Sequence, residues 1–195
     1  MSELNQNYWT ERYQNGNTGW NIGYPSTPLK EYIDQLKNKN LRILLPGAGN
    51  AHEAGYLWTQ GFKKTHVLDI SNHPLETFAM KFPTFPKSQI YHEDFFSHEG
   101  CYDLILEQTF FCALDPEQRE SYAEKTFQLL AQEGVLAGVL FDFPLTEKGP
   151  PYGGNINNYR ALFEPNFEIK TMETCRNSIP PRTDKEVFIQ LVKKH

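Results

Sequence analysis

Leu41-Arg42-Ile43-Leu44-Leu45-Pro46-Gly47-Ala48-Gly49 is the stretch on which the fold turns. A short apolar run closed by Pro-Gly reads as a strand buried on both faces. The glycines that follow let the backbone turn tightly and approach a ligand, and a helix read from about Ala51 to Gln60 offers N–H groups to an anion. Strand, glycine turn and helix together form the arrangement that seats a nucleotide-like cofactor at the carboxyl end of a strand.

Outward from this unit, strands and helices alternate. A helix over Leu29–Leu36 precedes it. Strand Thr65–Asp69, a helix over Leu75–Lys81, strand Gln89–Glu93 and strand Tyr102–Leu106 follow. Asp115 reads as a helix cap, Pro116 as its first position and Gln118 as the capping-box partner, with the stop predicted at Gly134. Tyr122, Ala123, Thr126, Phe127 and Leu130 form that helix's apolar face. Strand Val135–Phe141, a Pro/Gly loop over Asp142–Gly154 and a helix near Asn157–Phe163 come next. The last strands, Phe167–Thr174 and Glu186–Val192, have no crossover helix between them, which predicts an antiparallel pair. The expected fold is one α/β domain over residues 1–195. Its Rossmann-like sheet has seven strands, mainly parallel with an antiparallel last pair, and helices on both faces.

Composition narrows the function. The net charge is -5, with both signs mixed along the chain, so the surface field repels polyanions and nucleic acid is not an expected partner. No apolar run approaches the ~20 residues of a membrane span, and Met1–Trp9 is polar rather than signal-like. A cytoplasmic monomer acting on a small-molecule acceptor is expected. Cys101, Cys112 and Cys175 have neither disulfide-framework nor metal spacing, and the six histidines show no ligand motif, so no metal is expected.

Candidate site residues follow from strand ends. Gly47 and Gly49 lie in the first turn, but His52 stands where the dinucleotide fingerprint has its third glycine, which lowers the case for NAD. Asp69, twenty residues past Gly49, can accept both hydroxyls of an adenosine ribose, or can merely cap a turn. Asp94 and Phe95 suit an adenine, although Phe95 and Phe96 read equally well as core. Gln108 ends the fourth strand and is the candidate for a methionine-end contact. Trp9, Tyr13 and Trp20 sit on a polar segment (1–28) that either closes over a ligand or staples onto the domain. The 142–154 loop with Tyr152, the Ile179–Arg182 turn and Phe110 are the candidate acceptor walls. Arg182 either attracts an anion or is a surface charge.

These residues carry a resemblance. Trp9-x-x-x-Tyr13-x-x-x-x-x-x-Trp20 with Gly23 and Pro28-Leu29, Leu45-Pro-Gly-Ala-Gly49, Leu68-Asp-Ile-Ser71, Glu93-Asp-Phe-Phe96, Phe110-Phe-Cys-Ala-Leu-Asp-Pro116, Gly149-Pro-Pro-Tyr152 and Ile179-Pro-Pro-Arg182 span nearly the whole chain. The chain resembles the thiopurine S-methyltransferase-like family of class I methyltransferases, most closely its halide/thiol (thiocyanate) branch. It departs at Tyr13, where tryptophan is expected, and at Gln108, where the branch commonly has tyrosine. The resemblance implies S-adenosylmethionine as cofactor and S-adenosylhomocysteine as product. It implies cofactor contacts at Trp9, Tyr13, Trp20, Gly47, Gly49, Asp69, Ile70, Asp94, Phe95 and Gln108. The acceptor it implies is a thiol, hydrosulfide, thiocyanate, halide or thiopurine.

Methyl transfer to a soft anion needs no covalent intermediate and no general base, and no proton-transfer residue is assigned from sequence. Gly-Pro-Pro-Tyr is similar to a motif of nucleic-acid amino-methylating enzymes, but it follows the fifth strand rather than the fourth. An NAD-dependent oxidoreductase and a non-catalytic S-adenosylmethionine-binding protein are the competing readings.

Overall fold

The computed structural model describes residues 4–195; Met1–Glu3, part of the polar N-terminus read above, lie outside them. The helices are α1 (Gln6–Gln14), α2 (Thr27–Gln35), α3 (His52–Thr59), α4 (Asn72–Lys81), α5 (Arg119–Leu129) and α6 (Ile156–Phe163). The strands are β1 (Ile43–Pro46), β2 (Thr65–Asp69), β3 (Ile90–His92), β4 (Tyr102–Gln108), β5 (Leu130–Phe141), β6 (Phe167–Thr174) and β7 (Glu186–Lys193). They form one sheet in the order β3-β2-β1-β4-β5-β7-β6. The first five are parallel, and β7 runs antiparallel between β5 and β6.

Alternation along the central strands explains the two helical layers. Leu44, Leu68, Ile105, Leu136 and Leu140 face α5 and α6, packing on Tyr122, Ala123, Leu129, Tyr159 and Phe163. Ile43, Leu45, Val67, Leu104 and Leu106 face the opposite way onto Leu29 and Ile33 of α2, Ala54 and Leu57 of α3, and Leu75 and Phe78 of α4. A strand covered on both faces needs apolar residues at every position, which is why β1 reads as a run.

Two expectations about the long helix are corrected. Asp115 does not cap it through a capping box: its carboxylate accepts from Glu117 N at 3.0 Å and stabilises a 3₁₀ turn over Pro116–Gln118, after which α5 begins. Gly134 is not the helix stop. The helix ends at Leu129, and Leu130 takes extended geometry, pairs with Tyr102 and has its carbonyl held by Lys193 Nζ at 2.7 Å. Pairing then jumps from Tyr102–Leu130 to Leu104–Val135, so residues 131–134 form a tight excursion within the strand. Glu133 has φ 59°, and a Cβ on Gly134 would lie 2.8 Å from Ala131 O, so the glycine serves that turn.

Candidate active site

A cavity of about 600 Å³ opens at the carboxyl edge of the sheet, where β1 lies between β2 and β4 and the strand order reverses direction. Its floor is the first glycine turn. Gly47 and Gly49 have φ of +55° and +52°, a region that L side chains rarely occupy. A Cβ on Gly47 would collide with the Phe110 ring, and one on Gly49 would fall 2.6 Å from the Tyr13 hydroxyl. Bare backbone is what lets both aromatic residues approach.

Asp69 ends β2 beside this turn. Its Oδ2 accepts from Gly49 N and its Oδ1 from Ser71 N, both at 2.8 Å, and the residue is 5% exposed. Burial pushes the carboxyl up to about 6, against the opposing effects of the Ser71 and Gly49 N–H groups and nearby His92. The carboxylate thus caps the turn, and the same residue lines the cavity. Ile70 lines it too, as do Asp94 and Phe95. Asp94 is exposed and accepts from Phe96 N at 2.9 Å. Phe95 is buried in the main core, meets Phe110 ring to ring at 5.3 Å and also lines the cavity.

The aromatic segment forms the opposite wall. Asn5 caps α1 by accepting from Asn7 N and Tyr8 N, and Thr10 reaches Ser71 at 3.0 Å. Trp20 then folds back edge-on to Trp9 (5.5 Å) and Tyr13 (5.6 Å), with the Arg12 guanidinium 5.2 Å from its ring. Trp9, Arg12, Tyr13 and Trp20 all line the cavity. Burial, reinforced by the Asp69 charge, holds the Tyr13 phenol far above its ordinary value, so it stays neutral.

The other half of the cavity belongs to β4, β5 and β7. Gln108 accepts from Ser26 Oγ at 2.8 Å, and Ser26 N donates to Glu53 Oε1 at 2.8 Å. Arg182 is 11% exposed; it pairs with Glu186 at 3.3 Å and donates to the Trp20 carbonyl at 3.1 Å. Phe110, Cys112, Phe141, Pro150 and Pro151 supply the apolar surface. Tyr152, expected as an acceptor wall, is not among the lining residues. Its ring packs over Gly149 and its N–H donates to Cys112 O at 2.7 Å, so the loop presents the two prolines instead. Arg119 Nη2 pins this loop at Gly153 O, 2.7 Å away.

Residues 4–194 match the thiopurine S-methyltransferase family. The chain belongs to this family. It is an S-adenosylmethionine-dependent methyltransferase acting on a small nucleophile, and the family assignment takes the place of the nicotinamide reading. Among similar sequences, "Probable thiol methyltransferase 2" of Arabidopsis thaliana is 30% identical over 95% of this chain and 84% of its own length. Thiocyanate methyltransferase 1 of Brassica oleracea is 28% identical over 91% and 81%. Among solved structures, the Burkholderia thailandensis 1,6-didemethyltoxoflavin-N1-methyltransferase superposes with TM-score 0.79 over 97% of this chain and 87% of that one. At 14% identity, that likeness speaks for the fold alone.

In a member of this family the cavity must accept an adenosine and a sulfonium. Its lining fits them: a buried carboxylate beside bare glycine backbone, and the aromatic side chains Trp9, Tyr13, Trp20 and Phe110, which suit a cation. Sequence reading missed several contributors. Glu107, fully buried, accepts from Phe110 N (2.8 Å), Phe111 N (2.9 Å) and Tyr122 Oη (2.8 Å), and so shapes the turn that carries Phe110 and Cys112. Burial pushes it up to about 7. Glu53 and Arg12 also went unread, since an acid in a first helical turn and a basic residue in a last one are ordinary dipole partners. Among the described residues no helix is long and apolar enough to cross a membrane, and no His/Cys/Asp/Glu group is placed to hold a metal.

Proposed function

We propose that this methyltransferase acts on a small thiol or a thiocyanate-like soft anion. The observation that carries this reading is Arg182. A guanidinium only 11% exposed stands among Phe110, Cys112, Phe141 and two prolines, with Gln108 and Glu53 as the polar groups beside it, where a small polarizable anion gains attraction and loses water. The acceptors named for the similar plant enzymes, thiols and thiocyanate, support it.

In this reading Asp69 accepts the ribose hydroxyls, Gly47 and Gly49 let the cofactor approach the backbone, and Ile70 packs beside it. Asp94 and Phe95 hold the adenine, and Gln108 meets the methionine end. Trp9, Tyr13 and Trp20 cover the site, so the Trp9–Trp20 segment acts as a lid that orders on cofactor binding. The bound cofactor supplies an electrophilic methyl on a positively charged sulfur with a good neutral leaving group. The aromatic walls exclude water, Arg182 and the Phe110 face position the acceptor, and alignment supplies much of the rate. Three unpaired thiols fit a reducing cytoplasm, and the enzyme works as a monomer on small molecules rather than nucleic acid.

Calorimetric titration with S-adenosylmethionine and S-adenosylhomocysteine, followed by assays on iodide, thiocyanate, hydrosulfide and a thiopurine, tests this. Binding weakened by Asp69→Ala, with turnover on a soft nucleophile, is expected. Binding without turnover of any of the four overturns the acceptor class.

A further inference from the structure

Glu53 has no part in the reading above, yet it is a carboxylate on a cavity wall. It sits in the first turn of α3, is 7% exposed and lines the cavity. Its neighbours fix which half it belongs to. Ser26 links it to Gln108 at the end of β4, and Arg182, ahead of β7, is the cation that acts on it. Asp69 and Asp94 lie beyond β1, at the ends of β2 and β3. Glu53 therefore lies on the side of the cavity that carries Gln108 and Arg182, away from the strand ends that carry Asp69 and Asp94.

Resting on the thiol-methyltransferase reading, we propose that Glu53 is the proton acceptor for neutral thiol substrates. The acceptor's S–H proton passes to the Glu53 carboxylate as the sulfur lone pair forms the new S–CH₃ bond. The methyl's old C–S bond breaks with its electron pair returning to the donor sulfur, which leaves as a neutral thioether. Permanent anions such as iodide bypass the residue. The groups facing Glu53 suit this task. Ser26 N–H from the α2 flank orients Oε1, and the positive charge of Arg182, itself paired with Glu186, favours the ionised form, while half-buried His52 and buried Cys112 line the same cavity. Burial, the largest influence, raises the carboxyl above its ordinary value, towards the range of a useful base.

The test compares 2-mercaptoethanol with iodide across pH. With Glu53 as base, wild-type kcat/KM for the thiol reaches a plateau by neutral pH, well below the thiol's own pKa. A rise of tenfold per pH unit up to that pKa would mean that preformed thiolate binds, and overturns the proposal. Glu53→Gln is expected to restore that tenfold-per-unit rise and to lower the thiol-to-iodide ratio at pH 7 at least tenfold. The thiol loss should also exceed any weakening of S-adenosylhomocysteine binding measured by calorimetry. Equal losses in cofactor affinity and thiol turnover would place Glu53 on the cofactor instead and overturn the proposal. If Glu53→Gln does not fold, the wild-type profile alone decides. Iodide turnover without any thiol turnover sinks this proposal only, whereas absence of cofactor binding sinks the methyltransferase reading beneath it.

Discussion

The hydroxyl of Tyr13 occupies the space where a side chain on Gly49 would start: a Cβ there falls 2.6 Å from it. The glycine turn and the aromatic segment are fitted to one another. Gly49→Ala therefore meets two obstacles, a φ of +52° and the phenol. Unfolding free energy should fall by about 1–2 kcal/mol from the backbone strain, and cofactor binding should weaken because α1 is pushed off the turn. Tyr13→Phe in the same chain should recover part of the binding loss and none of the strain, which calorimetry and thermal melts separate.

Asp69 predicts a pH dependence of cofactor affinity. The ionised carboxylate is the better acceptor for ribose hydroxyls, and burial has moved its titration up to about 6. Affinity for S-adenosylhomocysteine should hold above that value and decline as pH falls through it. Asp69→Asn should bind about 10–100-fold more weakly at pH 7.5, as expected for a lost charged hydrogen bond of about 1.5–3 kcal/mol, and should show a flatter profile. A wild-type affinity unchanged from pH 7.5 to 5 would separate Asp69 from the ribose.

Glu107 predicts a pH dependence of stability with the opposite utility. Its folded titration lies near 7, above the unfolded carboxyl value of ~4.3. Its contribution is therefore fully present below the unfolded value and is lost as pH rises through about 7. Glu107→Gln should flatten that slope in urea melts at a series of pH values. Glu107→Ala strands the buried N–H of Phe111, the half-buried N–H of Phe110 and a buried tyrosine hydroxyl, and should cost about 3 kcal/mol or more.

Arg182 separates anion attraction from structure. Arg182→Met should raise KM for thiocyanate and iodide about tenfold. It also leaves buried Glu186 without its cation, a change that costs about 3–5 kcal/mol in comparable cases. Arg182→Gln with Glu186→Gln should recover the melting temperature but not the KM. Recovery of both would reduce Arg182 to a structural partner.

What the sequence disclosed depended on how local the cause was. The strand at Ile43–Pro46 was legible because burial on both faces writes itself as an unbroken apolar run. The antiparallel end of the sheet was legible because the link between β6 and β7 holds only a 3₁₀ turn at Pro180–Arg182 and no crossover α-helix. The exit of α5 was not, because Leu129 and Leu130 continue the helical stripe equally well in either conformation. Pairing with Tyr102 and the reach of Lys193 decide it, and both lie far away in sequence. Tyr152 was misplaced for a related reason: proline-rich motifs name a loop, but packing on Gly149 and the bond to Cys112 choose which side chain looks inward. Glu53 and Glu107 left no mark, since a buried acid is recognised by its partners and not by its neighbours in the chain.

The bond from Arg182 to the Trp20 carbonyl joins residues 162 apart. As the chain leaves the ribosome, the glycine turn, Asp69 and the first four parallel strands can be in place long before this clasp exists. The wall carrying Trp20, already tied by Thr10 to Ser71, gains this second fastening only when the antiparallel strand slides in beside β5. A nascent or shortened chain therefore has a cofactor floor with its cover held at one end only, and competence for transfer arrives in the last steps of synthesis.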